Sequence, residues 1–485
     1  MSLGQKVLSG FFWTLLSNIG NKLITLVIGV ILARLLFPED FGLVAMLYIF
    51  FEVSQSLINS GFGQALIRED TLTEKDKGTV FFINLAISIA CYAILFFTAP
   101  LIADFYDNQI LIDLTRFMGF SIVFSALVIV QRASLTHELA FKKLMIVNVV
   151  TNVLTGVIGI VLAYYGYGVW ALAIKYVAQA FFMSSIFFVI NPWVPKNFIS
   201  KESFNRLFGF GSKLLLSGLL NTVYGNIYKL IIGKYYTAVS LGLFTQAQLY
   251  VNQVTQSAVG TIQTVTYPIL SKAKDDPARL KNAYRKIIMA SSYVIFPLVI
   301  GLGILAEPFI LTLVGQKWIG VLPFLQILCL SGALYHLHSI NLNILQVMGR
   351  SDLFLKLEVI KKINITIAII IGLQFGIWGL MIGQVASSYI ALLINMYYTN
   401  RFLNYNYREQ FKDLLPIIAY TLPMLGLLII LQKFTDFSAI LELIIGVLSG
   451  TVTYLGTTYL AKATALSYIL ELLSNRYTFF KRLNI

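Results

Sequence analysis

Residues 15–29, LLSNIGNKLITLVIG, decide how this chain is read. The stretch is apolar enough for the middle of a membrane-spanning helix. Yet Lys22 sits at its centre, with Asn18, Asn21 and Thr25 around it. A central lysine costs about 2.5–3.5 kcal/mol on insertion scales, so its presence asks for a partner or a task. The apolar run extends over 10–36. It is too long for the core of a signal peptide and lacks a small-residue cleavage site, so it is expected to be retained as a first span.

The rest of the chain is of the same kind. Of its 485 residues, 58% are hydrophobic and 12% charged, which is too little charge to clothe a soluble protein of this size. Mean hydropathy is +0.80. About fourteen segments reach the ~20 residues that a bilayer requires. They lie near 10–36, 41–66, 78–99, 113–133, 144–165, 168–190, 208–232, 239–266, 284–306, 320–347, 357–375, 377–399, 412–432 and 438–460. Only helices or closed barrels satisfy the backbone in lipid, and these lengths exclude barrel strands. The expectation is an all-α polytopic membrane protein.

The net charge of +14 is a topology signal. Basic residues gather after even-numbered spans, for example Arg68, Lys75 and Lys77, then Arg132, Lys142 and Lys143. The connections after odd-numbered spans hold few. This asymmetry places both termini in the cytoplasm. A nucleic-acid surface would cluster its basic residues among aromatics, and none does, so no nucleic-acid partner is expected. Cys91 and Cys329 fall inside spans and read as packing residues, with no disulfide implied. No metal-ligand spacing, catalytic Ser/His/Asp set or phosphate-cradling glycine loop is present, so neither a cofactor nor enzymatic chemistry is expected.

A weak repeat appears at a shift of 200 residues. Leu15, Leu16, Ser17 and Asn21 match Leu215, Leu216, Ser217 and Asn221, and Gly42-Leu43 matches Gly242-Leu243. The shift carries span 1 onto span 7 and span 2 onto span 8. Six spans per unit is an even number, so the repeats run parallel, and transporters built this way bind substrate near the midplane between them. The expected organisation is an N-lobe over 1–195, a C-lobe over 196–405, and two further spans with a cytoplasmic tail over 406–485.

Polar residues select the repeat-related spans. Span 1 carries Asn18, Asn21, Lys22 and Thr25 on one helical face; span 2 carries Glu52, Gln55, Ser56 and Asn59 at the same offsets. Span 7 has Asn221 and Lys229, and span 8 has Asn252 and Gln256. Any one amide reads most simply as interhelical glue. As a set they read as the lining of a hydrated cavity. Lys22 and Glu52, both near mid-span, are either a self-neutralising ion pair or a substrate-facing cation with a carboxylate that tunes it or holds a coupling cation. Lys229 either faces the cavity or snorkels. His336 and His338 in span 10 are either proton relays or packing groups.

The runs LLFPEDFGLVAM (35–46), SGFGQALI (60–67), YGYGVWAL (165–172), LFTQAQLYVNQV (243–254), YPILSKAKDDPARLKNAYRK (267–286) and NLNILQVMGRSDL (341–353) resemble, in order and spacing, bacterial polysaccharide flippases. The similarity is to Wzx-type exporters of O-antigen, colanic acid and teichuronic acid units, in the multidrug/oligosaccharidyl-lipid/polysaccharide superfamily. It covers nearly the whole chain. It implies two six-helix lobes in a V around a central cavity, with two C-terminal helices. It also implies translocation of a polyprenyl-pyrophosphate-linked oligosaccharide across the bacterial cytoplasmic membrane by alternating access. Lys22 is the counterpart of the cavity cations that attract pyrophosphate in related flippases, whereas spans 1, 2 and 8 offer no interior arginine for a bidentate clamp.

The expected substrate-binding set is therefore Lys22, Asn18, Asn21, Glu52, Gln55, Asn59, Asn221, Asn252, Gln256 and Lys229. Expected partners are the lipid-linked oligosaccharide, membrane lipids, Na+ or H+ as coupling ion, and a polysaccharide polymerase or other synthesis enzymes. Two alternatives compete. A cation-coupled multidrug exporter of the same superfamily would suit an acidic first span, which is absent here. A membrane glycan polymerase or ligase would need a large outer loop, and the outer connections are short.

Overall fold

The computed structural model describes residues 3–59, 61–69, 72–196, 199–435 and 437–468. Packing divides the chain into two compact units, Met1–Thr245 and Gln246–Ile485. The described residues form α-helices and connecting turns, with one short 3-10 turn.

The first unit holds α1 (Leu3–Leu35), α2 (Pro38–Asn59), α3 (Phe62–Arg68), α4 (Glu74–Tyr106) and α5 (Ile110–Ala126). It continues with α6 (Ile129–His137), α7 (Phe141–Tyr164), α8 (Val169–Ile190), α9 (Lys201–Tyr235) and the start of α10 (Ala238–Ala273). In the second unit follow α11 (Pro277–Ile304), α12 (Ala306–Leu313), α13 (Val321–Gly332), α14 (Tyr335–Val347) and α15 (Ser351–Leu373). The last are α16 (Gly376–Leu403), α17 (Tyr407–Phe434) and α18 (Ala439–Leu460).

Every expected span falls on a helix or a broken pair of helices. Spans 2, 4 and 10 are the broken ones: α2/α3, α5/α6 and α13/α14. Gly61, at φ 74°, makes the first break, in a backbone region that glycine enters without steric cost. Among the described residues, ten helical segments have the length and apolarity to cross a membrane. The expected spans on α1, α9, α10 and α15 are not among those ten. On α9 and α10 the amides of the polar faces lower the hydropathy.

Helix starts are fixed locally. Thr73 and Asp76 form a capping box on α4. Asp276 caps α11, with Pro277 at its first position, and Asn406 caps α17. In the first unit α1 packs on α7, α7 and α5 on α8, α4 on α5, and α2 on α9. In the second, α15 crosses α16 where a Cβ on Gly379 would lie 2.4 Å from the Gly372 carbonyl oxygen. The small-residue spacing Gly379-x-x-x-Gly383 therefore marks a close helix crossing. Spans 13 and 14, on α17 and α18, belong to the second unit: α17 packs on α11, and α18 on α12 and α17.

The polar anchors of these late helices lie at one end of α11. Arg285 donates two 2.7 Å bonds to the Asp413 carboxylate, and the Tyr405 hydroxyl donates a third at 2.5 Å. Lys281 pairs with Glu409 at 2.7 Å and also donates to the Asn404 carbonyl. A large apolar cluster, including Tyr284, Ile340, Met396, Ile417 and Leu428, fills the interior beside them.

The expected lobes divide at 195/196, whereas the packing units divide within α10. The difference lies in α9, which packs on α2, α3 and α4 in the first unit. Its base is tied there by Arg206, which reaches Asp76 at 2.5 Å and Glu69 at 3.4 Å.

Candidate functional site

The polar face of α2 meets that of α9. Glu52 Oε2 accepts from Asn226 Nδ2 at 2.5 Å, and Lys229 Nζ donates to Asn226 Oδ1 at 3.0 Å. A single buried carboxamide thus bridges a carboxylate and an ammonium, using its acceptor and a donor at once. One turn away, the hydroxyls of Ser56 and Thr222 bond at 2.8 Å. The Lys229 ammonium also lies 5.8 Å from the centroid of the Tyr48 ring. Helical spacing explains the register: Glu52 and Ser56 are one turn apart on α2, as are Thr222 and Asn226 on α9. Asn226 and Thr222 are not among the residues expected from the sequence to form the site. Their spacing to Lys229 was the available signal.

On α1, Lys22 is exposed. Asn21 is committed to neighbours: its Oδ1 accepts from Asn152 Nδ2 at 2.8 Å, and its Nδ2 donates to Ser17 at 3.1 Å. Gln179 extends the chain by donating to Asn152 Oδ1 at 3.1 Å. This ladder joins α1, α7 and α8. The side chain of Asn18 lies outside the described residues. Asn221 is exposed on α9. In the second unit, Asn252 is half-buried and Gln256 exposed on α10.

Gln55 and Asn59 sit elsewhere on α2 from Glu52's bond. They line a cavity of about 450 Å³ within the first unit, with Gly61, Gln64, Ser125, Arg132, Met183 and Gly218 also in its wall. The break at Gly61 turns α3 so that Gln64 joins the same wall. Among the described residues, Gln55, Asn59 and Gln64 make no side-chain hydrogen bond to protein. A cavity of this size is within the range of small-molecule sites.

At the far end of α2 the repeat becomes a physical contact. A Cβ on Gly42 would lie 1.8 Å from the Ala238 carbonyl oxygen, and one on Gly242 would lie 1.9 Å from that of Pro38. Both the glycines and the carbonyls are related by the 200-residue shift, so the starts of α2 and α10 cross reciprocally. No side chain fits there without moving backbone.

The histidines of span 10 are enclosed by the second unit. His336 Nε2 bonds to Ser292 Oγ at 2.8 Å. The ring nitrogens of His338 bond to Ser388 and to Asn395, each at 3.1 Å. Asn341, beside them on α14, accepts from Tyr284 at 2.8 Å and from Thr399. This is a packing network joining α11, α14 and α16. Among the described residues no group of three His, Cys, Asp or Glu side chains is arranged to hold a metal ion.

The sequence matches the family described as "Polysaccharide biosynthesis protein" over residues 31–323, more than half of the chain. It is 25% identical over 358 residues to the teichuronic acid biosynthesis protein TuaB of Bacillus subtilis, covering 73% of each chain. It is 24% identical to the succinoglycan biosynthesis transport protein ExoT of Rhizobium meliloti, covering 95% of this chain and 94% of that one. Among solved structures, the lipid II flippase MurJ in an inward closed conformation superimposes with a TM-score of 0.76 at 17% identity. That match covers 93% of this chain and 98% of the other, and establishes a shared fold.

Proposed function

Because the chain belongs to the polysaccharide biosynthesis protein family, we propose that it is a Wzx-type flippase. It would carry polyprenyl-pyrophosphate-linked oligosaccharide units across the bacterial cytoplasmic membrane for surface polysaccharide assembly. The observation that carries this reading is the end-to-end similarity to a polysaccharide transport protein. The unbonded carboxamides of the first unit suit it, because each donates and accepts at once, as sugar hydroxyls require.

In this reading the protein is a multi-pass membrane protein with both termini in the cytoplasm, and the two repeats alternate access around a central cavity. The glycan and pyrophosphate occupy polar space while the polyprenyl tail stays in lipid. Exposed Lys22 attracts the phosphates. Gln55, Asn59, Asn221, Asn252 and Gln256, with Asn18, hydrogen-bond sugar hydroxyls. Asn21, tied to Asn152, holds α1 in place. Glu52, bridged to Lys229 by Asn226, supplies the carboxylate for a coupling cation, Na+ or H+. Synthesis enzymes would deliver the substrate and a polymerase consume it.

Complementation of a flippase-deficient strain tests the reading, with chemical analysis of the lipid-linked glycan that otherwise accumulates. Restored surface polysaccharide is expected. Failure to restore it, together with efflux of hydrophobic cations, would transfer the assignment to the multidrug exporters of the superfamily. Within this assay Lys22→Ala is expected to abolish surface polysaccharide, and Lys22→Arg to preserve most of it at equal expression. Normal export by the alanine variant would discard the phosphate role of Lys22.

A further inference from the structure

Arg132 entered the sequence reading as one of the basic residues that orient the chain. The structure gives it a second setting. It stands on α6, in the wall of the 450 Å³ cavity that Gln55, Asn59 and Gln64 also line. Among the described residues it is the sole charged residue of that wall. Among the described residues no carboxylate lies within ion-pair distance of it. Its Nη2 points at the Met183 sulfur at 3.2 Å, a weak acceptor, and its Cζ lies 5.9 Å from the Phe187 ring centroid. Most of its five N–H donors are therefore unused by protein.

The contrast with the neighbouring arginine is informative. Arg206, at the base of α9, is neutralised by Asp76 and Glu69. An arginine kept for topology alone needs neither a cavity nor freedom from carboxylates. Arg132 has both, and three unbonded carboxamides and the Ser125 hydroxyl share its cavity. A planar guanidinium with free donors matches the paired oxygens of a phosphate, and the amides match the hydroxyls of an attached sugar. The cavity lies toward the end of the first unit that the basic connections assign to the cytoplasm, where the substrate of the proposed transport is made.

We infer that the first unit carries a loading site for the sugar-diphosphate head group, in which Arg132 grips the diphosphate and Gln55, Asn59 and Gln64 bind the first sugar. The inference rests on the flippase reading for its substrate class. It supplies the guanidinium that spans 1, 2 and 8 lack, from α6.

The test is direct binding of a polyprenyl diphosphate to the purified full-length protein, with inorganic pyrophosphate and phosphatidylglycerol vesicles as competitors. Wild type should bind, more weakly as salt rises. Arg132→Gln should weaken binding by at least about tenfold, and Arg132→Lys less, since it keeps charge but loses the fork. The Asn59→Ala/Gln64→Ala double variant, which leaves the charge in place, should bind pyrophosphate normally and a glycosylated diphosphate weakly. Its binding of both ligands at wild-type strength would overturn the sugar contacts even if the arginine variants fold poorly. Unchanged binding by folded Arg132→Gln would overturn the diphosphate contact. Competition by phosphatidylglycerol as strong as by pyrophosphate would reassign the site to a lipid headgroup. Binding needs no transport, so intact binding beside failed complementation would sink the flippase reading alone.

Discussion

The two units use their polar side chains in different ways. Around α14, the polar side chains of the second unit are spent on one another: His336 on Ser292, His338 on Ser388 and Asn395, and Asn341 on Tyr284 and Thr399. Around the α2/α3 break, Gln55, Asn59, Gln64 and Arg132 of the first unit line a cavity and have, among the described residues, no hydrogen-bond partner better than a thioether sulfur. The residue types are similar in the two places. What differs is whether neighbouring helices supply partners. A satisfied network stabilises and fixes helix register, whereas a row of unspent donors and acceptors beside a cavity is available to a ligand.

That contrast predicts where stability and transport separate. The largest loss of stability should come from Asp413→Ala in the second unit, which strips Arg285 and Tyr405 of their shared acceptor. Because Arg285 is partly exposed, the cost should be about 2 kcal/mol. It would be seen as a lower unfolding temperature, with transport per folded molecule little changed. A transport defect without destabilisation would break the comparison.

An intermediate case is Asn226→Leu, which keeps the branched shape of the bridging amide but parts Glu52 from Lys229. About 1 kcal/mol of stability should go. Surface polysaccharide per folded molecule should fall much further, read by quantitative staining against membrane protein levels. Export at wild-type level would reduce the α2/α9 seam to helix glue, like the histidine network.

The smallest stability change belongs to Gln55→Ala combined with Asn59→Ala. Neither side chain is bonded to protein among the described residues, so thermal unfolding should move by no more than about 0.5 kcal/mol. Export should nonetheless drop, and accumulated lipid-linked glycan should rise. A clear fall in melting temperature would show that these amides carry packing after all.

Much of the architecture was legible along the chain. The apolar segments fell on helices in order, because a span must satisfy its backbone within itself and so declares its length and hydropathy locally. The weak match of Gly42 and Gly242 became a reciprocal backbone crossing. Other assignments needed the partners. Asn21 and Gln55 look alike on a helical wheel, yet one is bonded to Asn152 while the other lines a cavity. The importance of Asn226 comes from Glu52, which is 174 residues away in sequence.

The sequence by itself determined that this is a polytopic helical membrane protein, with polar faces on repeat-related helices and a family likeness running its whole length. Those properties are periodic or compositional, and each span carries them alone. Only the tertiary structure decided which polar side chains are spent. A donor is used or free according to what a distant helix places within about 3 Å of it. For that reason Arg132, which the sequence offered as one more cytoplasmic charge, became the guanidinium of a cavity.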